Sequence, residues 1–266
     1  MSDLHDEDSK VSKDRNSNMV GGLIKGLRVI ETFDRDHPRL AISDVARETD
    51  MDRATCRRLL LTLVSLGYAE HDGKFFKLTP RILRLGYSYL HTASLPSIVQ
   101  PLLEQMSRET EESCSVSVLD GQSIVYIARA SRQRVMSINL NVGSRLPAYC
   151  SSMGRALLAF MPPDQARKLL EKASRPALTA KTITEILPLM AELAKIKRQG
   201  YAIIDEELEL GLRSIALPLY DNRGNVVAAL NIGAQAARVS VKKMRDSFLP
   251  HLLHLQADLR QVYAPD

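Results

Sequence analysis

The chain has no tryptophan, only 5% of its 266 residues are aromatic, and it has only three cysteines. Cys56, Cys114 and Cys150 are odd in number and far apart in sequence, which argues against a disulfide framework and favours a reducing compartment. No apolar run approaches the length of a membrane span. The first residues also lack the apolar core of a signal peptide. We therefore expect a cytoplasmic protein without membrane contact.

Patterns typical of catalysis or metal binding are also scarce. The sequence has no phosphate-binding loop and no GxSxG nucleophile elbow. His251 and His254 lie one helical turn apart, but no carboxylate or cysteine at ligand spacing accompanies them. Cys150 lies beside a predicted helix start, where a thiol can be acidified, yet no histidine is near it in sequence. We predict no enzyme activity, no metal and no cofactor; an enzyme with Cys150 as nucleophile, fused to a DNA-binding head, is kept as an alternative.

The length and composition of the chain favour two domains. Its hydrophobic content of 45% supports real cores, and its net charge of +5 with a pI of about 9.1 permits nucleic-acid binding without requiring it. Composition and motifs predict a disordered tail over 1–19, a DNA-binding domain over 20–80, a linker helix over 81–95 and a ligand-binding domain over 96–266.

Residues 40–67, LAISDVARETDMDRATCRRLLLTLVSLG, are the most informative stretch. They predict two short amphipathic helices joined by a tight turn, which is typical of a helix-turn-helix. We predict Ser43 as the N-cap of the first helix and Asp52 as the N-cap of the second. Leu66 is predicted to face inward, and Gly67 is predicted to end the second helix.

The flanking segments extend this motif to its winged form. GGLIKGLRVIETF predicts a preceding helix, and YAEHDGKFFKLT predicts a hairpin around Asp72-Gly73. A recognition helix meets the major groove with its first turns, and a wing contacts backbone phosphates. The candidate DNA-binding residues are Ser43, Arg53, Thr55, Arg57, Arg58, Lys74 and Lys77. The alternative is an ordinary solvated helix and hairpin.

The second domain alternates predicted strands and helices, which indicates an α+β sheet domain. The predicted strands are SCSVSVLD and QSIVYIARA around Asp120-Gly121, RVMSINL, YAIIDEE, RSIALPLYD and NVVAALNIGA. The predicted helices are SSMGRALLAFM, PDQARKLLEKA, TEILPLMAELAKIKRQG and a closing helix that Ser240 caps and Pro250 interrupts. The acidic run DEELELG at 205–211 is predicted to be a solvated loop.

Several polar residues of this domain are candidates for holding a small acid. Ser151 and Ser152 lie where a loop enters a helix, and backbone N–H groups at a helix N-terminus favour carboxylates. Ser214 and Asn231 lie on late strands and could form hydrogen bonds to a ligand. The alternative roles are helix capping for the serines and core hydrogen bonding for Asn231.

Two arginines are further candidates. Arg132 and Arg134 precede a predicted strand, and either could pair bidentately with a carboxylate. The alternative for both is solvation at a strand edge.

Taken together, these stretches resemble the IclR family of bacterial transcriptional regulators. The resemblance covers nearly the whole chain after the tail, through GLIKGLRVIETF, ISDVARETDMDRATCRRLLLTL, FKLTPRILRLGYSYL, LPAYCSSMGRALLA, GYAIIDEELELGLRSIALPLYD and VVAALNIGAQAARVS. Gly22 departs from the serine that the family often has. The resemblance implies a winged helix-turn-helix followed by a GAF-like effector domain with a mixed or antiparallel sheet, assembled as a homodimer or homotetramer on a double-stranded DNA operator.

The resemblance also implies an effector pocket. Carried over to this chain and combined with the candidates above, the effector-binding residues are Arg132, Arg134, Tyr149, Ser151, Ser152, Met153, Leu212, Ser214, Asn231 and Gly233. Asn231 and Gly233 depart from the Ser or Cys of members that bind small keto acids. The chain looks more like the branch that controls the β-ketoadipate pathway, which implies protocatechuate, 4-hydroxybenzoate or β-ketoadipate as effector. A DNA-binding scaffold without a ligand is the remaining alternative.

Overall fold

A computed structural model describes residues 19–34, 36–86, 94–132 and 140–263. Its contacts divide the chain into two units, Met1–Tyr89 and Leu90–Asp266. Outside the described residues lie the predicted tail up to residue 18, residues 87–93 of the linker helix predicted over 81–95, and residues 134–139 of the predicted strand RVMSINL, which include Arg134. Within the part that is described, no helix is long and apolar enough to cross a membrane.

The first unit is a three-helix arrangement followed by a hairpin. Its elements are α1 (Gly21–Glu31), α2 (Ile42–Thr49), α3 (Arg53–Ser65), β1 (Ala69–His71) and β2 (Phe76–Leu78). Apolar side chains at helical and strand spacing meet in one small core: Val29, Leu40, Val45, Cys56, Leu60, Leu63, Ala69 and Phe76. This is the winged helix-turn-helix that the sequence predicts.

The ends of α3 are set by the predicted residues. A carboxylate oxygen of Asp52 accepts the backbone N–H of Thr55 at 2.8 Å, as an N-cap does. Gly67 adopts a left-handed φ of +77°, which is inexpensive for glycine and ends the helix. Leu66, predicted to face inward, is 51% exposed because it sits at the C-cap where the helix leaves the core.

The start of α2 differs from the prediction. The helix begins two residues earlier, at Ile42 with Ala41 as the N-cap, so Ser43 lies exposed inside the first turn. The carboxylate of Asp44 accepts the Ala41 N–H at 3.0 Å and satisfies a donor that has no partner within the helix. The prediction of a Ser43 cap was wrong because an acidic residue in the first turn performs this task.

Within the described residues, six strands of the second unit form one sheet in the order β5-β4-β3-β8-β7-β6, and every pairing is antiparallel. The strands are β3 (Ser113–Asp120), β4 (Ser123–Ala130), β5 (Arg145–Pro147), β6 (Ala202–Asp205), β7 (Leu212–Tyr220) and β8 (Val226–Gln235). The central pair β3 and β8 is distant in sequence, so the middle of the sheet forms only when the two ends of the domain meet.

Helices cover both faces of this sheet. One apolar core lies between the sheet and the helices α4 (Ser94–Thr110) and α8 (Val241–Lys243, Met244–Phe248 and Leu249–Val262). A second core lies between the other face and α5 (Ser152–Phe160), α6 (Pro163–Lys172) and α7 (Ile186–Gln199). The α+β expectation is therefore confirmed.

Helix α8 stays helical through the predicted interruption at Pro250. Ser240 caps its start, because the serine Oγ accepts the Lys243 N–H at 3.1 Å. Residues Met244–Phe248 form a π-helical turn directly before the segment that begins at Leu249. Proline has no N–H to donate, so a wider turn accommodates it where a regular α-helical hydrogen bond is missing.

Strand alternation places small polar residues on the face covered by α5. In β3, Cys114 and Val116 join the core under α4 and α8. Ser117 points the other way, with its Oγ 3.2 Å from the sulfur of Met153 on α5. Since successive side chains alternate, Ser113 and Ser115 share the face of Ser117.

Candidate functional site

The exposed face of α3 carries three arginines without partners. Arg53, Arg57 and Arg58 are exposed, and among the described residues no ion pair or hydrogen bond engages their guanidinium groups. Arg47 on α2 differs, because it lies 3.5 Å from carboxylate oxygens of Asp44 and Glu48. Three uncompensated cations on the second helix of a helix-turn-helix leave that face positive. Such a face suits the phosphates and guanine edges of a DNA groove.

The hairpin presents a basic tip held by an acidic turn. Asp72 accepts the backbone N–H groups of Lys74 at 3.0 Å and Phe75 at 2.8 Å, and its carboxylate also pairs with Arg39. These contacts, with the Phe75 N–H hydrogen bond contributing most, lower the pKa of Asp72 to about 2. Lys74 lies exposed at the tip, whereas Lys77 is partly neutralised by Glu70 at 3.2 Å. Of the two predicted wing lysines, Lys74 is therefore better placed to meet a phosphate.

A cavity lies in the second unit, between the sheet and the start of α5. Its described lining contains seven of the predicted effector residues: Ser151, Ser152, Met153, Leu212, Ser214, Asn231 and Gly233. The sequence did not predict the remaining lining residues, which are Ser113, Ile124, Tyr126, Arg129, Leu140, Leu146, Ile204 and Leu208. Apolar side chains therefore form most of the wall, and the polar groups cluster on the strands and at the helix start.

The charged group of this cavity is Arg129. One terminal nitrogen, Nη1, donates to Ser115 Oγ at 2.8 Å, and the buried Nε has no hydrogen-bond partner. No carboxylate of the described residues forms an ion pair with this guanidinium. Burial lowers the pKa of Arg129 from its ordinary value, because desolvation disfavours the charged form. An acidic ligand would supply the missing counter-charge.

Asn231 is the second polar group left unsatisfied. Its side chain is 8% exposed and lines the cavity, and its buried Oδ1 accepts no hydrogen bond. In the sheet, Asn231 pairs with Ser115, which in turn pairs with Arg129 on the next strand. A buried acceptor without a donor costs stability unless a partner arrives. The cavity thus offers one cation on β4 and one acceptor on β8, the two strands that flank β3.

Three predicted effector residues are not placed in the cavity. Arg132 follows the end of β4 and is exposed, with its Nε 3.4 Å from the Ser107 carbonyl oxygen. Arg134 lies outside the described residues. Tyr149 is buried beside the cavity, and its hydroxyl donates to the Pro176 carbonyl oxygen at 2.5 Å. The arginine that the structure brings into the cavity is Arg129, three residues before Arg132.

The acidic run at 205–211 is not the solvated loop predicted from its composition. Glu207 is only 8% exposed and forms a two-pronged ion pair with Arg155 of α5, at 2.7 and 2.5 Å. Two carboxylates in this run also pair with Lys181 and Arg213. The prediction was wrong because Glu207 is buried against a basic partner, Arg155, that lies 52 residues earlier in the sequence.

Neither of the weaker chemical candidates gains support. Cys150 is fully buried, and burial raises the pKa of its thiol to about 11, so the thiol stays protonated near neutral pH. His251 lies 3.2 Å from Glu109, and His254 lies 3.5 Å from Asp258. Across the described residues, no group of three or more His, Cys, Asp or Glu side chains is arranged to hold a metal ion.

Comparison with known proteins agrees with this arrangement of a winged helix and a cavity-bearing sheet. Residues 22–73 match the family model described as the IclR helix-turn-helix domain, and residues 87–260 match the one described as the bacterial transcriptional regulator IclR C-terminal domain. The chain belongs to the IclR family. It is therefore a DNA-binding transcriptional regulator, as the sequence motifs predicted.

Individual IclR-family relatives cover most of the chain. The Pca regulon regulatory protein of Pseudomonas putida is 42% identical over 238 residues, which span 89% of this chain and 82% of that protein. A crystal structure of a transcriptional regulator from Rhodococcus sp. RHA1 shares 47% identity, with a TM-score of 0.79, and covers 91% of this chain and 98% of its own. An IclR homologue from Microbacterium hydrocarbonoxydans, solved in complex with 4-hydroxybenzoate, shares 26% identity with a TM-score of 0.74. The match covers 91% of this chain and 100% of that chain.

Proposed function

We propose that this IclR-family regulator binds a small aromatic or keto acid in the cavity of its second unit and that this acid controls its binding to DNA. The observation that carries the proposal is the buried Nε of Arg129, a cationic donor in the cavity without a hydrogen-bond partner. A desolvated cation gains most from a ligand that brings a carboxylate. A bidentate carboxylate would engage Nε together with one of the terminal nitrogens.

The side chains that line the cavity also favour an aromatic acid. Tyr126, Ile124, Leu146 and Leu208 provide apolar contacts for a ring. The unpartnered Oδ1 of Asn231 would accept a hydrogen bond that a phenolic hydroxyl donates. The relatives that regulate a Pca regulon or bind 4-hydroxybenzoate support the same class. We propose 4-hydroxybenzoate, protocatechuate or β-ketoadipate as the effector.

The size of the cavity links ligand binding to movement. Its volume is about 30 Å³, whereas a cavity of about 150 Å³ holds benzene. An aromatic acid must therefore displace side chains of the wall. The lining residues Met153, Leu208 and Leu212 could make room by changing their rotamers. A ligand that binds only the widened form shifts the population toward that form.

On the DNA side, we propose that a homodimer or homotetramer places two recognition helices on a palindromic operator. Half-sites would then lie about one helical turn, or a multiple of it, apart. The proposed contacts are Arg53, Thr55, Arg57 and Arg58 on α3, Ser43 on α2, and Lys74 and Lys77 on the wing. The exposure and lack of partners of the α3 arginines support their role.

The two alternative functions have less support. In a scaffold without ligand, the buried Nε of Arg129 and Oδ1 of Asn231 would reduce stability and no ligand would offset that cost. An enzyme with Cys150 as nucleophile would need a thiolate, and burial disfavours that state.

Calorimetry on the full-length protein tests the proposal directly. We expect at least one of 4-hydroxybenzoate, protocatechuate and β-ketoadipate to bind, and benzyl alcohol, which has no carboxylate, to bind far more weakly. The same acid should change the affinity for a promoter fragment in a gel-shift titration at fixed salt. Absence of binding by all three acids would reject the ligand class, while DNA binding unaffected by a bound acid would reject the coupling.

A further inference from the structure

The cavity has two walls that are distant in sequence and meet at a buried ion pair. Ser151, Ser152 and Met153 line the cavity at the start of α5, two to four residues before Arg155. Leu208 lines it from the loop that follows β6, directly after Glu207, and Leu212 lines it from the first position of β7. Arg155 and Glu207 therefore lie immediately behind the two walls, and neither contacts the cavity.

In this ion pair every nitrogen of the Arg155 guanidinium donates a hydrogen bond. Arg155 is 1% exposed, its Nε donates to the Tyr149 carbonyl oxygen at 2.7 Å, and its two terminal nitrogens each donate to one Glu207 oxygen. The same Glu207 carboxylate accepts the backbone N–H of Ile183 at 3.0 Å. The pair therefore joins three segments of the second unit through charge-assisted hydrogen bonds: the start of α5, the loop at Glu207 and the segment at Ile183.

The surrounding loop is tied to the same junction. Thr182 Oγ1 donates to the Glu207 carbonyl oxygen at 2.6 Å, and Thr179 Oγ1 donates to the Glu206 carbonyl oxygen at 2.7 Å. The Gly211 N–H donates to Glu206 at 2.9 Å, which closes the loop on itself. The start of the loop is thus fixed, and Leu208 and Leu212 are held at a set distance from α5.

We infer that Arg155 and Glu207 are positioning residues for the effector cavity, acting as a clamp that joins the α5 wall to the 206–212 loop. The identity of the ligand in this inference rests on the proposed function, whereas the connection between α5 and the 206–212 loop rests only on the hydrogen bonds described above. The clamp holds the backbone of both walls while the side chains of Met153 and Leu208 move to admit the acid. Without it, the ligand must itself order the loop, and that cost reduces its affinity.

The central variant is Glu207→Gln, which keeps the size of the side chain and an acceptor for Ile183 but removes the charge. We expect the affinity for 4-hydroxybenzoate or protocatechuate, whichever wild type binds, to fall about threefold to thirtyfold, the range seen for residues that act at a distance. DNA affinity without the acid should stay unchanged. The matched control is Lys181→Gln, which removes an exposed ion pair to Glu206 on the same loop. It should leave acid affinity within about twofold.

Hydrogen exchange supplies a readout that does not depend on any ligand. In Glu207→Gln, the amides of Ile183 and Leu208–Leu212 should exchange faster than in wild type, while those of the turn at 222–225 should not. Unchanged exchange in the loop would overturn the clamp, whatever the ligand result. If wild type binds no acid but the loop exchange responds, the proposed function fails and the clamp stands.

A second variant covers the case in which Glu207→Gln does not fold. The double change Arg155→Met with Glu207→Leu replaces a buried pair by apolar groups of similar size, which is often tolerated. A folded double variant with weaker acid binding and faster loop exchange supports the clamp. A folded double variant that binds the acid as tightly as wild type refutes it.

Discussion

Tyr126 and Arg129, three residues apart on β4, lie on the same face of the sheet and both line the cavity. Strict alternation would put residues at an odd spacing on opposite faces. The register against β3 shifts between Val116 and Ser117, so Arg129 pairs with Ser115 while Tyr126 pairs with Ser117. The extra residue on β4 forms a β-bulge, which turns the Arg129 side chain toward the cavity.

The first prediction concerns this arginine. Arg129→Gln should weaken binding of the effector acid by about 2 kcal/mol or more, or roughly thirtyfold, because it leaves a carboxylate without its charged partner. Arg129→Lys should recover only part of the loss, since an ammonium cannot form the bidentate contact. The control is Arg132→Gln, which changes an exposed arginine nearby. Equal affinity of the Arg129→Gln and Arg132→Gln variants, measured by calorimetry, would contradict the assignment.

The second prediction concerns the recognition helix. Arg57→Ala and Arg58→Ala should each cost about 1–3 kcal/mol in operator affinity where the arginine reads a base, and relax the preference at one position. Where the arginine contacts only a phosphate, its replacement by alanine should instead lower the salt dependence of binding. Arg47→Ala is the matched control, because that arginine already lies near two carboxylates. The assignment fails if both α3 variants retain wild-type affinity and salt dependence.

The third prediction compares two glycines. A Cβ on Gly154 would lie 2.3 Å from the Ala148 carbonyl oxygen, so Gly154→Ala should destabilise the fold by about 1–3 kcal/mol in urea denaturation. Gly233 lines the cavity, and a Cβ there meets nothing within 4 Å. Gly233→Ala should therefore keep wild-type stability and weaken acid binding by narrowing the cavity. Equal urea midpoints for the two variants would show that the close packing of α5 is not required.

The fourth prediction is a pH dependence of the wing. The folded pKa of Asp72, about 2, is lower than its ordinary value of 3.8. Its stabilising effect is therefore complete above pH 4 and is lost as the pH falls through about 2. The amide resonances of Lys74 and Phe75 should titrate in that range in NMR spectra. Asp72→Asn should abolish the titration; a midpoint near 4 in wild type would mean that the carboxylate is not engaged.

Much of the fold was predictable because it depends on local signals. Asp52 as an N-cap, Gly67 as a helix end and the hairpin at Asp72-Gly73 each depend on residues within a few positions. The serines and Met153 at the start of α5 were predicted for the same reason, aided by the family resemblance. Ser43 was wrongly predicted as a cap, because the helix starts at Ile42 and the carboxylate of Asp44 in its first turn accepts the N–H of the N-cap residue Ala41.

The rest of the cavity needed long-range information. Arg129 was missed because a period of two gives no sign of the bulge that reorients it. The acidic run was misread because the partner of Glu207 lies 52 residues earlier, on α5. From sequence alone a run of charged residues is predicted to be solvent-exposed, because the basic partner with which it is buried cannot be identified.

Local spacing along the chain predicted a winged helix followed by an α+β domain, because helix caps, turns and alternation depend on neighbouring residues. The family was indicated by the resemblance of the sequence motifs. Tertiary structure decided which side chains face the cavity and which charges are buried together. Those outcomes depend on strand register and on pairs far apart in sequence, where the free energy comes from desolvation and packing between segments, not from the propensity of any one segment.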